Sequence, residues 1–194
     1  MKTTPKPTLK YLALGDSISI DRYTNVEGGG AAAQLYARLR REDPAWELDD
    51  QTFDGCTIRQ VPVNGDNDAD LITLTVAGND LLTNQHRDPN EFAPEFMDRY
   101  RNLCRRIRSQ YQRARVIVAN VYSPQGFLPA ELRQGLDLVN HFIAAVLPDY
   151  GFTLADIHAA FLGHEEEYLT LQIEPSLAGA TCIAKLFYDA AFPA

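Results

Sequence analysis

The amino-acid sequence predicts an α/β fold, in which one parallel sheet of five strands is covered by helices on both faces. Five short apolar runs alternate with stretches of helical periodicity, and most of the runs end where glycine or polar residues begin. Parallel strands joined through helices need right-handed crossovers, which place helices on both sides of the sheet. The length of 194 residues is that of one ordinary domain, so we expect a single domain over residues 1–194.

The predicted strands are runs of apolar or β-branched residues bounded by turn signals. The clearest is Leu71–Val76, which is almost continuously apolar and suits the centre of a parallel sheet. The first run begins at Tyr11 and stops at Gly15, where Asp16 and Ser17 follow. The five predicted strands occupy residues 11–15, 46–53, 71–76, 116–121 and 152–155.

Four amphipathic stretches predict the helices that cover this sheet. Residues 30–41 and 129–147 carry apolar side chains at helical spacing, and a longer stripe runs from Phe92 to Tyr111. A last helix is expected to have Pro175 in its first turn, because proline suits that position.

Two patterns along these helices have a functional and a structural interpretation. Gly28–Gly30 lacks the Lys-Ser/Thr of a phosphate-binding loop, so a close-packed entry to the first helix is favoured over a phosphate site. Seven arginines between Arg99 and Arg115 suggest an anion site. The apolar stripe already accounts for that helix, and a solvated outer face is therefore favoured.

Charge and cysteine content narrow the class of partner. Eighteen basic against 26 acidic residues give a formal net charge of −8, which argues against nucleic acid or an anionic membrane and leaves small neutral or cationic molecules open. Three widely spaced cysteines indicate neither a disulfide framework nor a zinc site. Residues 1–10 contain no apolar leader segment, and no run is long enough to span a membrane. We expect a soluble, cytoplasmic protein, whose oligomeric state the sequence leaves open.

The ends of the predicted strands bring several potentially reactive residues together at one edge of the sheet. Because ligands bind at the carboxyl ends of parallel strands, Ser17, Gly55, Asn79 and His158 are expected to be neighbours there. Acyl transfer needs a nucleophile and donors for the developing oxyanion. Ser17 supplies the hydroxyl, and its N–H, the N–H of Gly55 and the Asn79 amide are candidate donors. Gly78 is expected to let the backbone approach closely enough for Asn79 to point inward.

These residues carry a resemblance to a known family. Gly15-Asp16-Ser17, Gly55 and Gly78-Asn79-Asp80 resemble, in order and spacing, the first three blocks of the SGNH (GDSL) hydrolases. The resemblance continues through Asn140 and the strand end at Asp156. It implies a flavodoxin-like three-layer α/β/α domain and hydrolysis of esters or thioesters without a cofactor or metal. It also implies that Ser17 is the nucleophile and that Gly55 and Asn79 complete the oxyanion hole.

The last block departs from the pattern of that family. The family has Asp-x-x-His-Pro before the final helix, with the histidine as base and the aspartate orienting it. The aligned segment here is Leu171-Gln172-Ile173-Glu174-Pro175. Glu174 therefore stands at the position of the histidine, and Leu171 at that of the aspartate.

Three interpretations of this departure stay open. In the first, Glu174 is itself the base of a Ser-Glu dyad, which needs no orienting aspartate because a carboxylate has no tautomer to fix. Alternatively, His158 or His164 takes the proton from the same edge, or the site no longer reacts and binds a ligand. The sequence thus predicts an esterase-type serine hydrolase of a small acyl ester, and the alternative is an inactive ligand-binding or interaction protein. A receiver domain phosphorylated on Asp16 is a weaker fit, because no accompanying acidic cluster and lysine can be placed.

Overall fold

The computed structural model describes residues 8–64 and 68–193, apart from the side chains of residues 89 and 90. Its centre is a five-stranded, fully parallel sheet with the strand order β2-β1-β3-β4-β5. The predicted fold class is therefore confirmed. The strands are β1 (Leu9–Gly15), β2 (Trp46–Thr52), β3 (Leu71–Thr75), β4 (Arg115–Ala119) and β5 (Thr153–Ala155).

Helices join these strands and cover the sheet. Short 3-10 turns occupy Ser17–Ser19 and Leu147–Tyr150, and a two-stranded antiparallel hairpin precedes the last helix, with β6 at Leu169–Thr170 and β7 at Glu174–Pro175. The helices are α1 (Ala31–Glu42), α2 (Gly78–Asn84), α3 (Pro89–Gln110), α4 (Ala130–Val146), α5 (Ile157–Phe161), α6 (Glu165–Tyr168) and α7 (Leu177–Ala191). None of the helices in the described ranges is long and apolar enough to cross a membrane.

Alternate residues of each strand point to opposite faces, and each face has its own core. On β1, Leu12 and Leu14 pack with the apolar stripes of α3 and α4, whereas Tyr11 and Ala13 pack with α1 and α7. The sheet is thus buried on both sides between two helical layers. This arrangement leaves the carboxyl edge of the strands for the site.

One detail of the sequence-based prediction is wrong. Pro175 does not lie in the first turn of the last helix, because it is part of β7. Instead, Ser176 caps α7 by accepting a hydrogen bond from the Gly179 N–H at 3.2 Å.

The triple glycine forms a close-packed helix entry, as favoured. A Cβ atom on Gly30 would lie 2.5 Å from the backbone carbon of Ile20. The N–H groups of Gly28 and Gly30 donate to the two carboxylate oxygens of Asp21, at 2.7 and 2.8 Å. The protein's own carboxylate therefore occupies the position in which a phosphate would have to bind.

Candidate active site

Ser17 stands where β1 ends at the carboxyl edge of the sheet. The turn that brings it there depends on Gly15, which has φ of +126° and whose Cβ position lies 1.8 Å from the Thr75 carbonyl oxygen. Asp16 then caps the 3-10 turn by accepting a hydrogen bond from the Ile18 N–H at 3.3 Å. Ser17 is the first residue of that turn and is 8% exposed. The hydroxyl is thereby held at the end of a rigid, central strand.

The loop after β2 is fastened to α2 next to Ser17. The Asn79 amide donates to the Cys56 carbonyl oxygen at 3.1 Å, and the Asp80 carboxylate accepts from the Ile58 N–H at 2.9 Å. Gly55, with φ of +75°, directly precedes Cys56. The structure therefore brings Gly55 and Asn79 to the same part of the edge, as the sequence predicts.

The prediction for Gly78 is wrong in detail. Gly78 is the first residue of α2, and a Cβ atom there would make an ordinary 3.9 Å contact with Val121. The left-handed residue that turns the chain toward Asn79 is Ala77, with φ of +101°. An alanine in that region is strained, so the backbone strain lies at Ala77 and not at Gly78.

Glu174 reaches the site from the β6–β7 hairpin. Thr170 pairs with Glu174 across the hairpin, and the three-residue connection between them has φ of +49° at Leu171 and +71° at Gln172. Positive φ is a left-handed conformation that favours glycine or asparagine. The hairpin buries Glu174, which is 8% exposed, and leaves Leu171 71% exposed. Leu171 therefore gives Glu174 no orienting contact of the kind an aspartate would give.

Hydrogen bonds to main-chain carbonyl groups of this hairpin hold it against the loop that follows β4. The Tyr122 hydroxyl donates to the Ile173 carbonyl at 2.7 Å, and the Gln125 N–H donates to the Gln172 carbonyl at 2.8 Å. The Gln125 side-chain amide also donates to the Leu169 carbonyl at 2.8 Å. Tyr122 and Gln125 thus position Glu174 from the backbone side. Sequence reasoning missed both residues, whose only signal was their place just after a strand end.

Glu174 lies beside Ser17. Burial raises the pKa of the Glu174 carboxyl above its ordinary value, while the neighbouring Ser17 side chain lowers it. The nearby charges of Asp54 and Arg22 act in opposite directions. The Oε2 atom of Glu174 is buried, and the described residues supply no hydrogen-bond donor to it. The structure therefore pairs a serine hydroxyl with a carboxylate whose basicity burial increases.

A second buried carboxyl lies beside this pair. Asp16 is 1% exposed, and desolvation raises its pKa to about 7 despite hydrogen bonds from the Ile18 N–H and the Thr75 side chain. The negative charge of Glu174 raises the Asp16 pKa further. The sequence indicated Asp16 only as a possible phosphoacceptor, and its place beside Glu174 follows from the structure alone.

Ser17, Asn79 and Glu174 line one end of a cavity of about 220 Å³. Neither His158 nor His164 is among the described residues that line it. The His158 Nδ1 atom is buried without a hydrogen-bond partner in the described chain, and the His164 ring stacks on Tyr168 with 5.2 Å between centroids. The structure thus brings Glu174, and not the two histidines, to the serine.

Comparison with solved structures places this architecture among lipases and esterases. The lipase Lip_vut3 from a goat rumen metagenome superposes with a TM-score of 0.82 at 22% identity, over 95% of this chain and 98% of its own. An acetyl xylan esterase from Geobacillus stearothermophilus gives 0.73 at 19% identity, over 95% of each chain. A phospholipase A1 from Streptomyces albidoflavus gives 0.66 at 21% identity, over 95% of this chain and 100% of its own. At these identities the likeness shows the fold.

Sequence comparison with curated proteins gives no match. The sequence model of the GDSL-like lipase/acylhydrolase family, however, matches residues 13–181, a span that contains Ser17, Asn79 and Glu174. Because that match covers well over half of the 194 residues, the chain belongs to the GDSL-like lipase/acylhydrolase family.

Proposed function

We propose that the protein is a serine ester hydrolase in which Ser17 is the nucleophile and Glu174 is the general base. The observation that carries the proposal is that Ser17 and the buried Glu174 lie together in the lining of one largely apolar cavity, where the Ser17 side chain lowers the pKa of the Glu174 carboxyl. Family membership supports hydrolysis as the class of reaction. The substrate is an ester of a small acyl group with an alcohol.

Acylation would follow from these positions. The Ser17 Oγ atom attacks the ester carbonyl carbon while its proton passes to Glu174. The carbonyl oxygen becomes an oxyanion, which the N–H groups of Ser17 and Gly55 and the Asn79 amide would stabilise, each such donor typically contributing about 3 kcal/mol. When the intermediate collapses, the ester C–O bond breaks and Glu174 returns the proton to the leaving alcohol.

Deacylation repeats these steps with water. Glu174 takes a proton from water, the hydroxide oxygen bonds to the acyl carbon, and the bond to Ser17 Oγ breaks. The proton on Glu174 then returns to Ser17. The cycle is balanced by one water consumed, with one carboxylic acid and one alcohol released.

The basicity of Glu174 is the demanding point of this mechanism. An ordinary glutamate has a pKa about two units below that of histidine, which corresponds to about 3 kcal/mol in proton affinity. Burial raises the pKa of Glu174 and so reduces that deficit. Because the ionised form is the active one, we expect kcat/KM to rise with pH as Glu174 ionises.

The test is hydrolysis of short-chain nitrophenyl esters by the wild-type protein, Ser17→Ala and Glu174→Gln. Both substitutions should lower kcat by at least about 10³-fold, because the two residues act as one unit. Glu166→Gln, an exposed glutamate on the short helix before the hairpin, is the matched control and should leave kcat unchanged.

The outcomes separate the proposal from its alternatives. Activity that survives in Glu174→Gln and is lost in His158→Ala would move the role of base to the histidine. Wild-type turnover at the level of buffer, across several acyl lengths and pH 6 to 9, would favour a ligand-binding protein on the same scaffold.

A further inference from the structure

The cavity lined by Ser17 is also lined by side chains of α2, α3 and α4. Apart from Asp16, Ser17, Asn79, Glu174 and a few further polar side chains such as Asn84 and Gln85, its walls are mostly apolar. A hydrophobic wall cannot recognise a sugar or a peptide by hydrogen bonds, but it favours an aliphatic chain. The apolar wall includes Phe96, Met97, Leu132, Leu136, Val139 and Phe142.

The volume of the cavity sets the size of the group that it holds. A dry protein cavity of about 150 Å³ accommodates benzene, which has six carbons. The cavity of about 220 Å³ is larger than that, although it must also admit the ester group beside Ser17. An acetyl group would leave most of this space empty, and an unbranched chain of six to ten carbons would fill it.

Gly135 is the residue of α4 that leaves this space open. It lines the cavity, and no heavy atom lies within 4 Å of a Cβ atom built on it. Its φ is not positive, so the backbone conformation does not require glycine there. A glycine within a helix makes the helix less stable than any ordinary residue would. What Gly135 contributes at this position is therefore space in the cavity.

The charges at the polar end favour a neutral ligand. The carboxyl groups of Asp16 and Glu174 both line the cavity near Ser17. Arg87, also in the lining, is paired with Glu95 through two contacts of 3.1 Å. An uncharged ester therefore enters more readily than a free fatty acid, whose carboxylate would be repelled by the Glu174 carboxylate.

We propose that this cavity is an acyl-binding pocket for an unbranched chain of about six to ten carbons and that the absence of a side chain at Gly135 keeps part of that pocket open. The inference rests on the proposed ester hydrolysis and specifies its acyl group. It makes Gly135 a specificity-determining residue that touches the substrate chain and takes no part in proton transfer.

The kinetic test compares nitrophenyl esters with two to twelve acyl carbons. For the wild-type protein, kcat/KM should rise about fourfold per added methylene, the typical gain from burying one, and reach its maximum between six and ten carbons. In Gly135→Phe, kcat/KM for the octanoyl ester should fall at least tenfold, while that for the acetyl ester stays within twofold. A wild-type maximum at two carbons, or an unchanged octanoyl ester in Gly135→Phe, would overturn the inference.

Gln134→Phe is the matched control, because Gln134 is an exposed neighbour on the same helix outside the cavity lining. It should leave the preference for chain length unchanged. Gly135→Leu should give an intermediate limit, and both leucine and phenylalanine are better helix formers than glycine. A melting temperature at or above that of the wild type would show that the effect is not loss of folding.

A binding experiment separates this inference from the proposed function. Octanamide, an uncharged analogue of the acyl group, should bind Ser17→Ala in calorimetry, and adding Gly135→Phe should weaken binding at least tenfold. If the wild-type protein hydrolyses none of the esters and octanamide still binds in this way, the result supports the acyl pocket and contradicts the hydrolase proposal. If octanamide does not bind Ser17→Ala, the acyl pocket is wrong whatever the activity.

Discussion

A carboxyl group buried without a cation beside it makes folding sensitive to pH. The pKa of Asp16 is raised to about 7, so between pH 4 and 7 the folded protein retains a proton that the unfolded chain has lost. This contribution to stability is complete below the unfolded pKa and is lost as the pH rises through the folded one. Glu174, whose pKa is also raised by burial, acts in the same direction.

Asp16→Asn should therefore be more stable than the wild type above pH 7. Asparagine keeps an oxygen that accepts the Ile18 N–H and cannot ionise, so the benefit should approach about 4 kcal/mol in the free energy of unfolding. Urea denaturation from pH 4 to pH 8 measures it, with the exposed Asp137→Asn as control. A difference between Asp16→Asn and wild type that does not vary with pH would contradict the assignment.

Two buried tyrosines offer a second test at the scale of single residues. The Tyr100 hydroxyl is buried without a hydrogen-bond partner in the described chain, whereas the Tyr11 hydroxyl bonds the Thr73 hydroxyl at 2.8 Å. Tyr100→Phe should leave stability unchanged or raise it by about 1 kcal/mol, because it removes an unsatisfied polar group. Tyr11→Phe should cost about 1 to 2 kcal/mol, because it leaves Thr73 unpaired. Equal losses in urea denaturation would show that Tyr100 has a partner after all.

Among the elements, the strands and long helices could be predicted from sequence and the hairpin could not. Buried strands appear as continuous apolar runs, and α3 and α4 as stripes of helical period, because packing against the sheet fixes both patterns. The β6–β7 turn places Leu171 and Gln172 at positive φ, where asparagine or glycine is the usual signal. Ser17, Asn79 and Glu174 could be named as candidates, but the contacts that position Glu174 follow from tertiary structure alone.

The hairpin should respond to loss of its anchoring side chain. Gln125→Ala removes the amide that donates to the Leu169 and Glu165 carbonyls, at 2.8 and 3.2 Å, without touching the cavity lining. We expect kcat to fall about tenfold with KM nearly unchanged, because the base is displaced while the substrate pocket stays intact. Gln125→Glu lacks the donor and should not restore kcat.

The control for this prediction is Gln51→Ala, whose amide is bonded only to the exposed side chain of Asp49 in the described structure. It should leave both constants unchanged. An equal rise in KM and fall in kcat for Gln125→Ala would mean that the loop after β4 shapes the pocket rather than the base.

At the scale of the molecule, Ser17 and Glu174, the two members of the proposed dyad, are held by elements of unequal stability. Ser17 follows β1, which is paired on both sides by β2 and β3 inside a sheet buried between two cores. Glu174 belongs to a hairpin of two residue pairs that Tyr122 and Gln125 fasten from outside the sheet. Elements with few bonds open at a lower free energy than the core does.

Heating should therefore separate the serine from its carboxylate before the domain melts. Esterase activity is expected to decline at temperatures where circular dichroism still reports an intact sheet, and to return fully on cooling. The loss of activity on heating would then be reversible and confined to the seven residues of the hairpin. Coincident curves for activity and ellipticity would rule it out. The hairpin would then set the highest temperature at which the enzyme is active, and the sheet would set the temperature at which the domain unfolds.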